Sequence, residues 1–122
     1  MSSTLLPYIA LGGALGSVLR ALVAAALPAR LPWATLAVNV AGSLLIGWVM
    51  ARLGGFEPAV AARIQAFVAV GFCGGFTTFS AFSWQTFEQL QRGQWGAAAL
   101  QVILSVGLCL AAVWLGFRLG RA

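Results

Sequence analysis

The residues best suited to chemistry lie on one stretch of this chain, Gly71-Phe72-Cys73-Gly74-Gly75-Phe76-Thr77-Thr78-Phe79-Ser80-Ala81-Phe82-Ser83. Adjacent glycines followed by two β-branched threonines make a poor helix centre. A break there would free backbone amides and carbonyls. In hydrocarbon each unsatisfied group is costly, so a break survives only against protein, water or an ion, and broken helices at membrane depth commonly build ion sites. The alternative is a continuous helix whose threonine hydroxyls bond back to the preceding turn. Phe79 and Phe82, three apart, share a helix face. Packing is the ordinary use of such a pair. The sharper use is electrostatic: ring edges are positive and would meet an anion without the deep trap a buried arginine sets. Ser80 and Ser83 add hydroxyl donors nearby.

Two further polar residues interrupt apolar sequence. Asn39 is central in Thr35-Leu36-Ala37-Val38-Asn39-Val40-Ala41-Gly42-Ser43. A carboxamide in hydrocarbon must be bonded, either as glue between helices or facing a pore. Arg20 is a charge within an apolar run, which makes it a candidate functional residue, with snorkelling to the nearer headgroups as the alternative. Chemistry of other kinds is disfavoured. The chain has no His, no Lys and two carboxylates, Glu57 and Glu88, neither at the middle of an apolar run. No phosphate-binding glycine loop is present, and Ser and Cys lack a base to activate them. Cys73 and Cys109 lie in apolar segments and suggest neither a disulfide framework nor a metal site. These absences point away from an enzyme or an ATP-driven pump and toward a passive pathway.

The elements that must hold these residues follow from composition. Of 122 residues, 61% are apolar and 7% are charged, and the mean hydropathy is +0.97. A soluble domain has about 25% charged residues, so most of this surface must face lipid. A membrane-crossing helix needs about 20 mostly apolar residues. Four candidates fit, at about Leu5–Leu27, Trp33–Met50, Ile64–Phe87 and Trp95–Phe117. The connections are Pro28-Ala29-Arg30-Leu31-Pro32, a polar stretch with Glu57, Pro58 and Arg63, and a turn from Gln89 to Gly93. Trp33, Trp48, Trp95 and Trp114 sit near span ends, as an aromatic belt requires. The expected organisation is one four-span domain over residues 1–122. The first span lacks a basic n-region and contains Arg20, so it reads as a retained helix and not a cleaved signal.

The net charge of +5 comes from seven scattered arginines without a basic stripe, so nucleic acid is not an expected partner. Four spans place Arg52, Arg63, Arg118 and Arg121 on one side and Arg30 and Arg92 on the other. That bias is weak enough to permit insertion in both orientations. Gly12 and Gly16, Gly71 and Gly75, and Gly116 and Gly120 recur at the spacing that lets helices approach closely in lipid. Four short helices barely enclose a pathway, which favours an oligomer.

Taken together, Gly12 to Arg20, Thr35 to Gly47 around Asn39, and the signature Gly74-Gly75-Phe76-Thr77-Thr78-Phe79-Ser80-Ala81-Phe82 resemble the Fluc (CrcB) family of fluoride channels along nearly the whole chain. The resemblance implies an all-α bacterial inner-membrane protein with a break in the third span, forming an antiparallel, dual-topology homodimer with two pores. It implies that Phe79 and Phe82 line the fluoride path, that Asn39 donates its amide there, and that Ser80 and Ser105 lie on a hydroxyl track. It also implies a structural sodium ion at the dimer interface, held by backbone carbonyls of Gly74 and Thr77 from both subunits. The chain departs from the family pattern at Ala81, where Thr is frequent, at Gln85, where Glu is frequent, and at Leu44 and Cys109. Two rival readings lie outside the family. A proton-coupled four-span exporter needs a membrane-embedded carboxylate, which the first span lacks. The other is a non-transporting helper of a larger membrane complex.

Overall fold

The computed structural model describes residues 2–27 and 32–122, and every regular element among them is helical. Ser2 opens the chain by accepting a bond from the Thr4 amide, a short 3₁₀ turn follows at Ser3–Leu5, and Pro7 sits in the first turn of α1, Leu6–Ala26. Helix α2 is Trp33–Arg52, continued by a 3₁₀ turn at Leu53–Gly55. The loop expected after it is nearly absent. Glu57 caps the next helix through the Ala59 amide and Pro58 takes the first helical position, so α3 begins at Pro58 and not at Ile64. A proline there loses nothing, because its missing N–H would have no partner anyway.

Helix α3, Pro58–Ile64, runs into a π-helical segment, Gln65–Cys73, and then a single turn, α4, Gly74–Phe76. The chain then leaves the helix at Thr77 and Thr78 and resumes as α5, Phe79–Gln91. The expected break in the third span is therefore present. Gly93, with φ of +73°, ends α5: its amide bonds the Leu90 carbonyl and the Gln94 amide bonds the Gln89 carbonyl. This is the glycine-closed helix end that only a residue without Cβ adopts cheaply. The polar turn is thus shorter than expected, and Gln89 belongs to α5.

Helix α6, Trp95–Arg121, runs four residues beyond the expected Phe117. Arg118 and Arg121 lie over the rings of Trp114 and Phe117, one turn earlier, so their stems cover apolar surface while their heads reach the span end. Among the described residues, four stretches are long and apolar enough to cross a membrane: Ser3–Ala26, Trp33–Gly55, Pro58–Gln91 and Trp95–Arg121. The turn expected over Pro28 to Pro32 falls, except for Pro32, outside the described residues.

Backbones, not large side chains, meet at the helix contacts. A Cβ on Gly12 or Gly16 would overlap the carbonyl oxygens of Phe67 and Phe72, and one on Gly75 that of Gly13. On the other pair, a Cβ on Gly47 would overlap the Val113 carbonyl and one on Gly116 the Leu44 carbonyl. Contacts advance together along both chains, so α1 runs parallel to the third span and α2 parallel to α6. The buried set is small, with Val38, Ala66 and Ala98 each at most 2% exposed. Leucines such as Leu11, Leu22 and Leu110 point outward, as do Trp33, Trp48, Trp95 and Trp114. This is the inverse of a soluble core and the arrangement that lipid solvation favours.

Candidate functional site

The break between α4 and α5 is the centre of the site. It lies level with the middles of its neighbours: Asn39 and Gly42 of α2 touch it, and Arg20 of α1 reaches it. Thr77 (φ −88°, ψ 161°) and Thr78 (φ −152°, ψ 116°) are extended. Asn39 holds Thr78 from both sides. Its Oδ1 accepts from the Thr78 amide at 2.7 Å and its Nδ2 donates to the Thr78 carbonyl at 3.1 Å. Thr78 then caps α5, its Oγ1 accepting from the Ala81 amide at 3.1 Å and lying 3.2 Å from the Ser80 hydroxyl.

Two diverted amides have a consequence. In an unbroken helix the Thr78 amide would bond the Gly74 carbonyl, and the Ala81 amide would bond the Thr77 carbonyl. Asn39 takes the first amide and the Thr78 hydroxyl the second. The carbonyls of Gly74 and Thr77 thereby lose their helical donors at the same point of the fold. The Cys73 carbonyl, in contrast, keeps both the Thr77 amide (2.9 Å) and the Thr77 hydroxyl (2.7 Å). The Gly75 carbonyl receives Arg20 Nε at 2.9 Å, with the Ser17 hydroxyl at 3.5 Å. Arg20 thus turns inward onto the broken turn and does not reach for a headgroup.

One cavity of about 440 Å³ lies along the break. Asn39, Phe79, Phe82, Ser105, Gly74 and Thr77 all line it, as do Cys73 and Cys109, and no charged side chain does. The structure therefore brings together six of the nine residues singled out from the sequence. Ser80 is exposed, with its hydroxyl on that of the lining residue Thr78; Ser83 is exposed and donates to the Phe79 carbonyl; Arg20 bonds the broken turn at Gly75. The Phe79 and Phe82 rings are 5.5 Å apart and tilted by 51°. Phe82 is buried, whereas Phe79 is 78% exposed. The cavity is open on the side of Phe79.

A second, smaller cavity of about 170 Å³ shares Ser105 with the first and is lined also by Gln89 and Gln101. Gln101 is 8% exposed, and its Oε1, like those of Gln85 and Gln89, is buried without a partner among the described residues. Buried carboxamides are normally bonded, so these three mark a polar seam inside an apolar molecule. In the sequence Gln89 reads as the start of a polar turn, and Gln101 does not stand out as a site residue. The signal was available in the four-residue spacing of Gln101, Ser105 and Cys109, which stacks one polar stripe along an otherwise apolar helix.

Known proteins resemble this chain along most of its length. Residues 7–117 match the profile of the family described as CrcB-like protein, Camphor Resistance (CrcB). The chain is 52% identical over 115 residues to a fluoride-specific ion channel FluC of Opitutus terrae, covering 89% of this chain and 86% of that one. It is 49% identical over 118 residues to the FluC of Thermus thermophilus, covering 93% of each chain. With the FluC of Paramagnetospirillum magneticum it shares 49% identity over 114 residues, 88% of each. With four spans around a mid-membrane break and a profile match along nearly its full length, the chain belongs to the CrcB family of multi-pass bacterial membrane proteins.

Proposed function

We propose that this chain is a fluoride-selective channel that lets the ion leave the cytoplasm passively. The observation that carries the reading is the broken third span. The N-terminal end of α5, the Asn39 amide, the Phe79–Phe82 pair and Ser105 surround one uncharged cavity at mid-membrane. A fluoride ion gives up strong hydration on entry, and several modest donors suit rapid transit better than one deep trap. The donors available are the second Nδ2 hydrogen of Asn39, the ring edges, the Ser105 hydroxyl and the positive end of α5. The relatives' shared name, fluoride-specific ion channel, supports the choice of ion.

Energetics need no coupling machinery. Hydrofluoric acid crosses lipid uncharged and dissociates in a near-neutral cytoplasm, where fluoride accumulates. An inside-negative potential supplies about 2.3 kcal/mol per charge per 100 mV, roughly a fiftyfold gradient for an expelled anion.

The working unit is an antiparallel homodimer in the inner membrane. Its support is the exposed Phe79 ring and the open cavity beside it, which a second copy would wall. The carbonyls of Gly74 and Thr77 fit a structural sodium ion, since a hard cation takes oxygen ligands and these two have lost their helical donors. Repeated by a twofold axis, they would offer four oxygens. When bound, the ion supplies a fixed positive charge that ties the two copies together at the break.

The experiment is efflux from liposomes carrying the purified chain, with fluoride and chloride each loaded inside. Rapid loss of fluoride with chloride retained is expected. Equal loss of both ions would remove the selectivity, and no loss of either would leave a non-transporting protein.

A further inference from the structure

A second polar cleft lies far from the break, at the membrane end where α2 and α6 finish side by side. Arg52 and Arg121 line it with Ala51, Gly55, Phe56 and Gly120, and no acidic side chain contributes to the wall. It holds about 560 Å³. The two helices are brought close there because Gly120 sits against the Trp48 backbone and Ala51. We propose that this cleft binds the phosphodiester headgroup of an anionic membrane lipid.

Three observations support that occupant. The first is charge. Each helix C-terminus carries about half a negative elementary charge, so two guanidiniums there leave an excess of about one positive charge, the complement of one phosphodiester. Neither carboxylate lines the cleft: Glu57, next to Phe56, caps α3 through the Ala59 amide, and Glu88 lies on α5 toward the opposite membrane end. The second is preorganisation. The Arg52 guanidinium lies 5.7 Å from the Trp48 ring centroid and that of Arg121 lies 5.3 Å from the Phe117 ring. Stacking orders both heads without consuming their N–H donors, and the planar forks match phosphate oxygens in pairs.

The third observation is apolar surface continuous with the polar cleft, which suits a lipid better than a free anion. Phe56, which lines the cleft, is 47% exposed, and Trp48, which carries the Arg52 head on its ring, is 44% exposed. Acyl chains would cover that surface, whereas a soluble anion would leave it bare. Trp48 at this level is where an interfacial ring belongs. The proposal is independent of the pore, since no residue of the cleft lines the cavity at the break.

The test uses the full chain in neutral detergent. Its thermal midpoint is followed with added phosphatidylglycerol, phosphatidylcholine or inorganic phosphate at equal concentration, and retained lipid is counted by native mass spectrometry. Phosphatidylglycerol is expected to raise the midpoint by several degrees and to remain bound, with the other two giving little change. The R52Q/R121Q variant should lose most of that rise, and R63Q, which changes an exposed arginine outside the cleft, should keep it. Four results overturn the proposal: inorganic phosphate matching phosphatidylglycerol, phosphatidylcholine matching it, a full rise in R52Q/R121Q, or an equal loss in R63Q. Should the double variant not fold, R121Q alone at the end of α6 decides, with at least half the rise expected to vanish and an unchanged rise counting against the site.

Discussion

Asn39 does two things that pull in different directions. Its carboxamide is interhelical glue, bonding both the amide and the carbonyl of Thr78, and one Nδ2 hydrogen is left over for the cavity. Asn39→Ala leaves the buried Thr78 amide unpaired, at a cost of about 1–3 kcal/mol, so a lower thermal midpoint together with reduced fluoride flux is expected. Asn39→Asp keeps the acceptor but loses the donor and adds a negative charge beside an anion path, and flux should be abolished. Gln101 is expected to behave in the opposite sense on stability. Its Oε1 is buried without a partner among the described residues, so Gln101→Leu should hold or raise the thermal midpoint. If the route continues from Ser105 through the second cavity, the same change lowers fluoride efflux at least several-fold. A Gln101→Leu channel with unaltered efflux would confine the route to the first cavity.

At the scale of elements, the packing of parallel helix pairs rests on positions that admit no side chain. Gly16→Ala would drive a methyl into the Phe72 carbonyl, and Gly116→Ala into that of Leu44. Backbone cannot yield as a side-chain tip does, so each is expected to cost several kcal/mol or to prevent recovery of folded protein. Gly107→Ala, with open space around it, should be neutral or slightly stabilising because alanine favours the helix. Size-exclusion profiles of the three variants check the contrast. The glycine spacing was legible in the sequence, as was the broken third span, because Gly-Gly-x-Thr-Thr is a local conflict with helix formation. The start of α3 at Pro58 was less legible. Glu57, Pro58 and Arg63 look like a polar loop in a hydropathy reading, and their role as cap, first-turn residue and span end depends on local bonds. The inward turn of Arg20 was equally hidden, since its partner is a carbonyl 55 residues away in sequence that loses its helical donor only because the third span breaks.

For the molecule as a whole, the weak arginine asymmetry predicts insertion in both orientations. Labels on either terminus of the unmodified chain should be reached from both membrane faces, and two or three lysines added near Arg30 should bias insertion to one. Labelling from a single face would exclude the antiparallel assembly. Replacing sodium by a large organic cation during purification should weaken the dimer if the Gly74 and Thr77 carbonyls hold the ion. Fluoride is expected to pass the Phe79–Phe82 pair at the break. The most direct test is fluoride efflux from liposomes bearing the wild-type chain, Phe79→Ile or Phe82→Ile at matched protein density. Isoleucine keeps the site apolar and removes the ring edge, and as a packing change it should cost less than about 1.5 kcal/mol. Rapid efflux from the wild type, with a loss of an order of magnitude or more in each folded variant, is the expected result. Near-wild-type efflux from both folded variants would contradict the claim and move the pathway away from the rings.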